Sequence, residues 1–354
     1  MQMDRGVKMV RDAKTGELVL RHSEGGADTA GLLPRAPLLR VRVNLVEVSC
    51  NVFAPDGTAL RGLQERDFRV FDDGIRQNIS HFDASRESAS IALVIDASPS
   101  VLPDSVVMKA AAQELIAGLS PVDEVAVVDF SEHTFLLLPF SRNRRLLREA
   151  VSSVNVRALF YDTGGSNIYR SLYLVADELF PGRTGRKAII LLTDGQDSGL
   201  GLSLYGAGVR PHRGYPAHHA TFEDVVRALS AQGVEVYVIS TQNRPRIMTQ
   251  EWLAANRANS LITPAALTLG IPAYTAFLAE LVRRVGGRLY FLDETGSIAR
   301  AYHAIVRRLR AQYTLGYYPS DGANPGWHSL RVEVLGHGPV RVASRSAYYE
   351  PAQN

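Results

Sequence analysis

Two apolar runs strongly constrain the fold of this chain, because each is followed by an acidic residue. Asp96 directly follows Ile91–Ile95, and Asp194 follows Ala188–Leu192 after a single threonine. Uninterrupted apolar runs of this length are typical of strands buried on both faces of a parallel sheet. Residues that follow such strands lie at the carboxyl edge of the sheet, where open α/β folds place their sites. We therefore predict that the two carboxylates meet at one edge of the sheet.

Hydroxyl groups accompany both carboxylates. Ser98 and Ser100 follow in Asp96-Ala97-Ser98-Pro99-Ser100, and Ser166 lies in Gly164-Gly165-Ser166-Asn167, ahead of a predicted helix. Two carboxylates and three hydroxyls form an oxygen-only set, which suits a hard divalent ion such as Mg²⁺ or Mn²⁺. The first segment taken alone is more typical of a helix N-cap after a strand.

Taken together, the three segments resemble the metal-ion-dependent adhesion site of the von Willebrand factor type A (VWFA) domain. The pattern of that site is D-x-S-x-S, then a distant Thr and a distant Asp. This chain has Ser166 at the Thr position, with Thr163 as a second candidate, and Pro99 where a small residue is usual. The resemblance implies that the metal ligands are Asp96, Ser98, Ser100, Ser166 and Asp194. It also implies that a partner Asp or Glu takes an open position on the ion.

Alternating strand and helix patterns between the two ends predict a doubly wound, mostly parallel sheet with helices on both faces. The adjacent runs Glu124–Phe130 and Thr134–Phe140 predict a hairpin that gives this sheet one antiparallel edge. Two long segments, residues 199–219 and 242–272, follow carboxyl ends of predicted strands. They are either walls of the metal site that select a partner or ordinary surface insertions.

Both ends of the chain show β patterns that lack partners of their own. Residues 51–82, and at the other end Tyr313–Pro319 with Leu330–Val334, resemble a bacterial VWFA-related family first noticed in acidobacteria. The resemblance implies one smaller β-sandwich domain built from both chain ends, with the VWFA domain inserted. The predicted boundaries are a flexible extension at 1–39, sandwich parts at 40–87 and 311–354, and the VWFA domain at 88–310.

Composition narrows the function further. A net charge of +3 is small for 354 residues. Six clustered arginines lie on predicted helices, where they are expected to form solvent-exposed faces, so nucleic-acid binding is not expected. These arginines are Arg142, Arg144, Arg145, Arg307, Arg308 and Arg310. Cys50 is the only cysteine, which excludes an intrachain disulfide. No apolar run is long enough for a membrane span, and the first forty residues contain no signal-peptide core.

The sequence contains only incomplete matches to catalytic motifs. The chain has no G-x-S-x-G elbow, and the phosphate-loop-like Gly182–Lys187 lacks the hydroxyl residue after its lysine. His212, His218 and His219 lack carboxylate or cysteine partners at metal-site spacing. Asp123, Asp129 and Asp197 also have no matching partners in the sequence.

We therefore predict a metal-dependent protein-binding or adhesion module that is not an enzyme. The partner is expected to be a protein that presents an Asp or Glu carboxylate to Mg²⁺ or Mn²⁺. The alternative is an intracellular assembly or regulatory subunit that works with an ATPase or a chelatase-like complex. The compartment stays open, because proteins of the resembled family are commonly exported and this chain shows no signal peptide.

Overall fold

The computed structural model describes residues 7–11, 18–22, 45–84, 88–154, 165–197, 220–249, 252, 271–291, 297–319 and 324–350. The chain divides into two compact units, Met1–Val46 and Glu47–Asn354. In the first unit, strands β1 (Val7–Arg11) and β2 (Leu18–His22) pair antiparallel. The sequence pattern predicts a flexible extension there, without regular structure. Both strands combine aliphatic residues with basic ones, and this mixture is compatible with short strands.

Except for Val46, the first residue of β3, which belongs to the first unit, the remaining elements lie in the second unit. Its strands are β3 (Val46–Phe53), β4 (Phe68–Asp72), β5 (Ile75–Gln77), β6 (Ile79–Asp83), β7 (Ala89–Asp96), β8 (Glu124–Phe130), β9 (Thr134–Ser141), β10 (Arg186–Thr193), β11 (Glu235–Ser240), β12 (Gly287–Phe291), β13 (Gln312–Tyr317), β14 (Gly326–Val334), β15 (Arg341–Ser344) and β16 (Ala347–Glu350). Its α-helices are α1 (Ser105–Gly118), α2 (Arg144–Ser152), α3 (Ile168–Leu174), α4 (Phe222–Gln232), α5 (Ala273–Val285) and α6 (Ile298–Arg310). Short 3₁₀ turns span Glu65–Asp67 and Pro99–Asp104, and a π turn spans Val175–Leu179.

The central sheet has six strands in the order β12-β11-β10-β7-β8-β9. Every neighbouring pair is parallel except β8 with β9, as the hairpin prediction requires. All eight residues of β7 are buried, which explains why this strand reads as a continuous apolar run. This mixed α/β architecture with a mostly parallel sheet confirms the predicted fold class.

Alternate residues of β7 enter two separate cores. Ala92 and Val94 pack in a cluster with residues of α3, α4 and α5. Ile91, Leu93 and Ile95 pack in a second cluster with residues of α1, α2 and α6. The sheet therefore carries helices on both faces, which is the doubly wound arrangement.

Two four-stranded antiparallel sheets combine strands from both ends of the second unit. Their orders are β15-β3-β13-β6 and β16-β14-β4-β5. The Phe68 ring from one sheet lies 5.7 Å from the Phe82 ring and 5.1 Å from the Tyr313 ring of the other. These contacts join the two sheets face to face, as expected of a small β-sandwich. The predicted domain boundaries themselves stay predictions.

The long segments of the sequence analysis fall mostly outside the described residues. Residues 198–219, 250–251 and 253–270 are not described, so the role of the insertions and of His212, His218 and His219 stays a prediction. Among the helices that are described, none combines the length and the apolar character needed to cross a membrane.

Candidate metal centre

Asp96 and Thr193 end neighbouring parallel strands at the carboxyl edge of the central sheet. Leu192 of β10 is in register with Ile95 of β7, so the residues that follow each of them are adjacent. Strands β8 and β10 flank β7 on opposite sides in the sheet order. The connections that follow β7 therefore run to opposite sides, which makes this edge a topological switch point. The Thr193 hydroxyl donates to Asp96 Oδ2 at 2.5 Å and accepts from the amide of Gly195 at 3.0 Å.

The loop after β7 folds its hydroxyls back toward Asp96. The amide of Ser98 donates to Asp96 Oδ1 at 2.9 Å, and the hydroxyl oxygens of Ser98 and Ser100 lie 3.1 Å apart. The amide of Ala97 donates to the carbonyl of Phe130 at 2.6 Å, which ties this loop to the end of β8. Asp96 and Ser98 are buried, whereas Ser100 is exposed. The group is therefore open to solvent on the Ser100 side.

The N-cap alternative does not account for this loop. Ser98 precedes the 3₁₀ turn Pro99–Asp104, but its side chain makes no capping hydrogen bond. Pro99 occupies the first position of that turn, where its fixed φ is compatible and its missing amide is not needed. Asp104, which precedes α1, also makes no side-chain capping bond.

Asp194 and Ser166 lie on two further loops that meet this edge. The Asp194 carboxylate accepts from the backbone amide of Gln196 at 2.9 Å and from its side-chain amide at 3.2 Å. Ser166 is buried, and its neighbour Asn167 donates to the carbonyls of Ser131 and Glu132 at 2.8 and 2.7 Å. These bonds hold the Ser166 loop against the turn between β8 and β9. Thr163, the second candidate, lies outside the described residues.

The electrostatics of the edge favour a bound cation. Burial, with a smaller contribution from the nearby charge of Asp194, raises the pKa of Asp96 to about 7, although the hydrogen bonds from Ser98 and Thr193 lower it. Within the described part of the chain, neither carboxylate pairs with a lysine or an arginine. Two carboxylates held close together with hydroxyl neighbours fit a divalent ion, which would favour their charged forms.

Three residues near this edge are absent from the predicted ligand set. Thr193 donates a hydrogen bond to Asp96, and its position at the end of an apolar run is the sequence feature that could have indicated this role. Gly195 has φ of +86°, and a Cβ there would lie 3.0 Å from Leu278 Cδ1 and 3.1 Å from Tyr274 Cδ2. Burial raises the pKa of Tyr274, with the Asp194 charge adding to the effect. Only the tertiary fold brings Tyr274 of α5 to this loop, so no local sequence pattern indicates it.

The other acidic candidates have local partners. Asp123 accepts from the amides of Ala89 and Ser120 at 3.0 and 2.9 Å, at the opposite edge of the sheet. Asp197 accepts from the amide of Tyr169 at 3.2 Å, which fixes the start of α3 to the loop after β10. Asp129 is buried in β8. These contacts give Asp123 and Asp197 structural roles.

A second cluster of possible metal ligands lies in the β-sandwich. Ligand atoms of Asp72, Asp73 and His328 all lie within 4.8 Å of one another. His328 Nδ1 is 2.9 Å from Asp73 Oδ2, and its Nε2 is 2.6 Å from the carbonyl oxygen of Asn324. Asp72 Oδ2 accepts from the hydroxyls of two tyrosines, Tyr317 and Tyr348. None of these residues belongs to the predicted metal site.

Comparison with solved structures finds several similar chains. An aerotolerance-related membrane protein from Bacteroides fragilis is 15% identical, with 63% of this chain and 98% of that chain covered and a TM-score of 0.39. BatB from Bacteroides thetaiotaomicron is 17% identical, with coverages of 62% and 100% and a TM-score of 0.38. Proximal thread matrix protein 1 from the mussel byssus, with a zinc-occupied MIDAS motif, is 18% identical, with coverages of 65% and 47% and a TM-score of 0.40.

Comparison with curated proteins finds no match. A family model does match part of the chain, over the stretch that runs from the start of β7 through β11 to Trp252. The matched stretch contains the loops with Asp96, Ser166 and Asp194. Residues 90–252 of this chain therefore form a von Willebrand factor type A domain.

Proposed function

We propose that this chain is a metal-dependent protein-binding module. In this proposal Asp96, Ser98, Ser100, Ser166 and Asp194 hold Mg²⁺ or Mn²⁺, and a partner protein contributes an Asp or Glu carboxylate. The main support is the buried Asp96 carboxylate, which lies near the charge of Asp194 and next to the Ser98–Ser100 hydroxyl pair, at an edge that is open on the Ser100 side.

The charges of the residues explain why a partner carboxylate would be favoured. Hydroxyl ligands are neutral, so a site with two carboxylates and three hydroxyls neutralises a divalent ion less completely than an all-carboxylate site. The bound ion would supply positive charge for an incoming carboxylate. Thr193 and the amide of Ser98 hold the two Asp96 oxygens in place, so this carboxylate is oriented in advance.

Binding is favoured over catalysis for this edge. Von Willebrand factor type A domains are in general interaction modules, and we infer the same role for residues 90–252. Within the part of the chain that the structure describes, the hydroxyls of Ser98, Ser100 and Thr193 contact each other or Asp96 rather than a histidine that would activate one of them as a nucleophile. If the chain instead works with an ATPase or a chelatase-like complex, the capture experiment below should retain an ATPase.

The test is a capture experiment with immobilised protein and native extract. Proteins retained in Mg²⁺ are compared with those retained in chelator, and acidic and amidated versions of the same peptide are used as competitors. The Ser98→Ala/Ser100→Ala variant should lose the Mg²⁺-dependent partner. The matched control, Ser152→Ala/Ser153→Ala, removes two exposed hydroxyls at the end of α2 and should retain it.

The proposal fails if the chelator and the Ser98→Ala/Ser100→Ala variant leave the captured proteins unchanged. It also fails if the amidated peptide competes as well as the acidic one. Replacing residues 201–219 by a short Gly-Ser turn should change which partner is captured and leave Mg²⁺ affinity unchanged, because the proposed ligands lie outside that segment.

A further inference from the structure

A cavity of about 390 Å³ lies at the amino edge of the central sheet, opposite the Asp96 edge. Its lining includes Glu235 at the start of β11 and Gly287 at the start of β12, together with residues of β14 and β15 from the sandwich sheets. The volume lies within the range of about 300–1,000 Å³ that small-molecule sites occupy. The cavity is therefore large enough for a small organic molecule.

The cavity has an unusual excess of positive charge. Among the lining residues that the structure describes, Glu235 is the only acidic one. Six arginines line the cavity: Arg283, Arg288, Arg308, Arg331, Arg341 and Arg345. Glu235 is also engaged by the Tyr237 hydroxyl, which donates to its Oε2 at 2.6 Å. Arg283 and Arg331 pair with Glu280 and Glu333, which do not line the cavity.

Arg345 and Arg308 each have one donor, the Nε, that no residue in the described part of the chain satisfies. Arg345 is only 8% exposed and donates to the carbonyls of Ser230 and Glu47, at 3.0 and 2.6 Å, but its Nε has no hydrogen-bond partner. The Nε of Arg308 is likewise buried and without a partner, and its guanidinium lies over the Phe53 ring at 5.4 Å. The charge of Glu235 acts on both guanidinium groups. A buried guanidinium with an unsatisfied donor is still costly, and an anion in the cavity would offset that cost.

Apart from the charged residues and two serines, Ser344 and Ser346, the cavity wall is apolar or glycine. Its apolar side chains include Met248, Val282, Leu289, Leu330, Val332 and Val342. A purely inorganic anion would leave these side chains in contact with water. An anion attached to an apolar body would satisfy both the guanidinium groups and the apolar wall.

We propose that this cavity binds a small amphipathic organic anion. Its carboxylate or phosphate pairs with Arg308 and Arg345, and its apolar body packs against Leu289 and Val332. Arg288 at the cavity wall adds positive charge. The site is separate from the proposed metal centre, because the cavity lies at the other edge of the sheet and shares none of the five proposed ligands.

The test is calorimetric titration of the full chain with matched probes. The probes are 2-naphthoate, 1-naphthyl phosphate, neutral 2-naphthamide and inorganic sulfate. At least one naphthyl anion should bind with a Kd below about 100 μM, and naphthamide and sulfate should each bind at least about tenfold more weakly. The stronger of the two naphthyl anions identifies whether carboxylate or phosphate is preferred.

Arginine variants locate the binding. Arg308→Gln should weaken the naphthyl anion at least about tenfold. The matched control is Arg307→Gln, the adjacent and exposed position on α6, which should leave the Kd unchanged. Arg288→Gln replaces Arg308→Gln if the latter lowers the melting temperature by more than a few degrees. Asp194→Ala should have no effect on anion affinity, which separates this site from the metal centre.

Three results would overturn the proposal. The first is the absence of binding by both naphthyl anions up to 1 mM, on the order of the weakest affinities of specific sites. The second is equal affinity for 2-naphthoate and 2-naphthamide. The third is an equal Kd for Arg307→Gln and both cavity variants.

Discussion

Thr193 and Asp96 are joined across neighbouring strands by a hydrogen bond of 2.5 Å from the threonine hydroxyl to Asp96 Oδ2. The same hydroxyl accepts from the amide of Gly195, so one side chain connects the end of β7 to the loop that carries Asp194. The two carboxylates of the proposed metal site are thereby fixed relative to each other before an ion binds.

Thr193→Val should therefore destabilise the metal-free protein and weaken Mg²⁺ binding. The variant leaves a buried carboxylate oxygen and a buried amide without this partner, which costs about 1–3 kcal/mol. Thr193→Ser keeps the hydroxyl and should recover most of the loss. Thermal unfolding and Mg²⁺ titration of the three proteins provide the measurement, and a Thr193→Val protein equal to Thr193→Ser in both would contradict this role.

Mg²⁺ affinity should depend on pH around neutrality. Burial raises the pKa of Asp96 from 3.8 to about 7 in the metal-free protein, so an ion must displace a proton from this group below pH 7. Affinity should fall about tenfold for each pH unit below 7 and be constant above it. Titrations at pH 5.5, 6.5, 7.5 and 8.5 test this, and a Kd that is the same at pH 5.5 and 8.5 would refute it.

The same shift makes the metal-free protein less stable as pH rises. The folded state holds the Asp96 proton more tightly than the unfolded state does, so the free energy of unfolding should fall between about pH 4 and pH 7. Asp96→Asn removes this titration. The difference between the two proteins in chelator, measured by denaturant unfolding at several pH values, isolates the contribution of Asp96.

Gly195→Ala should disturb the loop that carries Asp194. The backbone at Gly195 has φ of +86°, and the new Cβ would press against Tyr274 and Leu278 at 3.1 and 3.0 Å. Gly182→Ala is the matched control, because Gly182 has φ of +74° with no atom within 4 Å of a built Cβ. Gly182→Ala should cost roughly 1–2 kcal/mol from backbone strain alone. Gly195→Ala should lower the free energy of unfolding by more than Gly182→Ala does, and it should also weaken Mg²⁺ binding. Equal effects of the two changes would show that the side-chain contacts are unimportant.

The β-sandwich should lose stability at high pH through His328. Burial lowers the pKa of His328, but the Asn324 carbonyl and the carboxylates of Asp73 and Asp72 raise it by more, so the net pKa lies above its usual value. The protonated ring therefore stabilises the fold fully below about pH 6.5, and this stability is lost as pH rises through the folded-state pKa.

The measurement uses the Asp96→Asn background, in which the Asp96 titration is absent. Unfolding free energies from pH 5.5 to 8.5 should fall with pH in this background and fall less when His328→Gln is added. His303→Gln changes an exposed histidine on α6 and serves as the control. A pH dependence that is unaltered by His328→Gln would assign the effect to another group.

Local sequence signals predicted much of the central sheet and its helices. Helix α4 has clear local signals, because Thr221 and Asp224 form a capping box at its start and Gly233 ends it with positive φ. The strands β7 and β10 follow from apolar runs that only a doubly buried strand explains. Such elements are set by neighbours in the chain, so the sequence alone suffices.

Features that depend on distant parts of the chain were not predictable in this way. Arg308 belongs to an arginine group interpreted as a solvated face, yet it lines the cavity while Arg307 and Arg310 are exposed. Helical periodicity places Arg308 on a different side from its neighbours, but only the packing of β14 and β15 shows what covers that side. Tyr274 likewise reaches the Asp194 loop through the packing of α5.

The most direct test of the account is a crystal structure with Mn²⁺, located by its anomalous scattering. We predict one strong peak within about 2.5 Å of oxygen atoms from Asp96, Ser98, Ser100, Ser166 or Asp194. The peak should be absent from Asp96→Asn/Asp194→Asn and retained in Asp104→Asn/Asp177→Asn, which changes two exposed acidic residues. A peak at Asp72, Asp73 and His328 instead, or one that survives in Asp96→Asn/Asp194→Asn, would contradict the proposed metal centre.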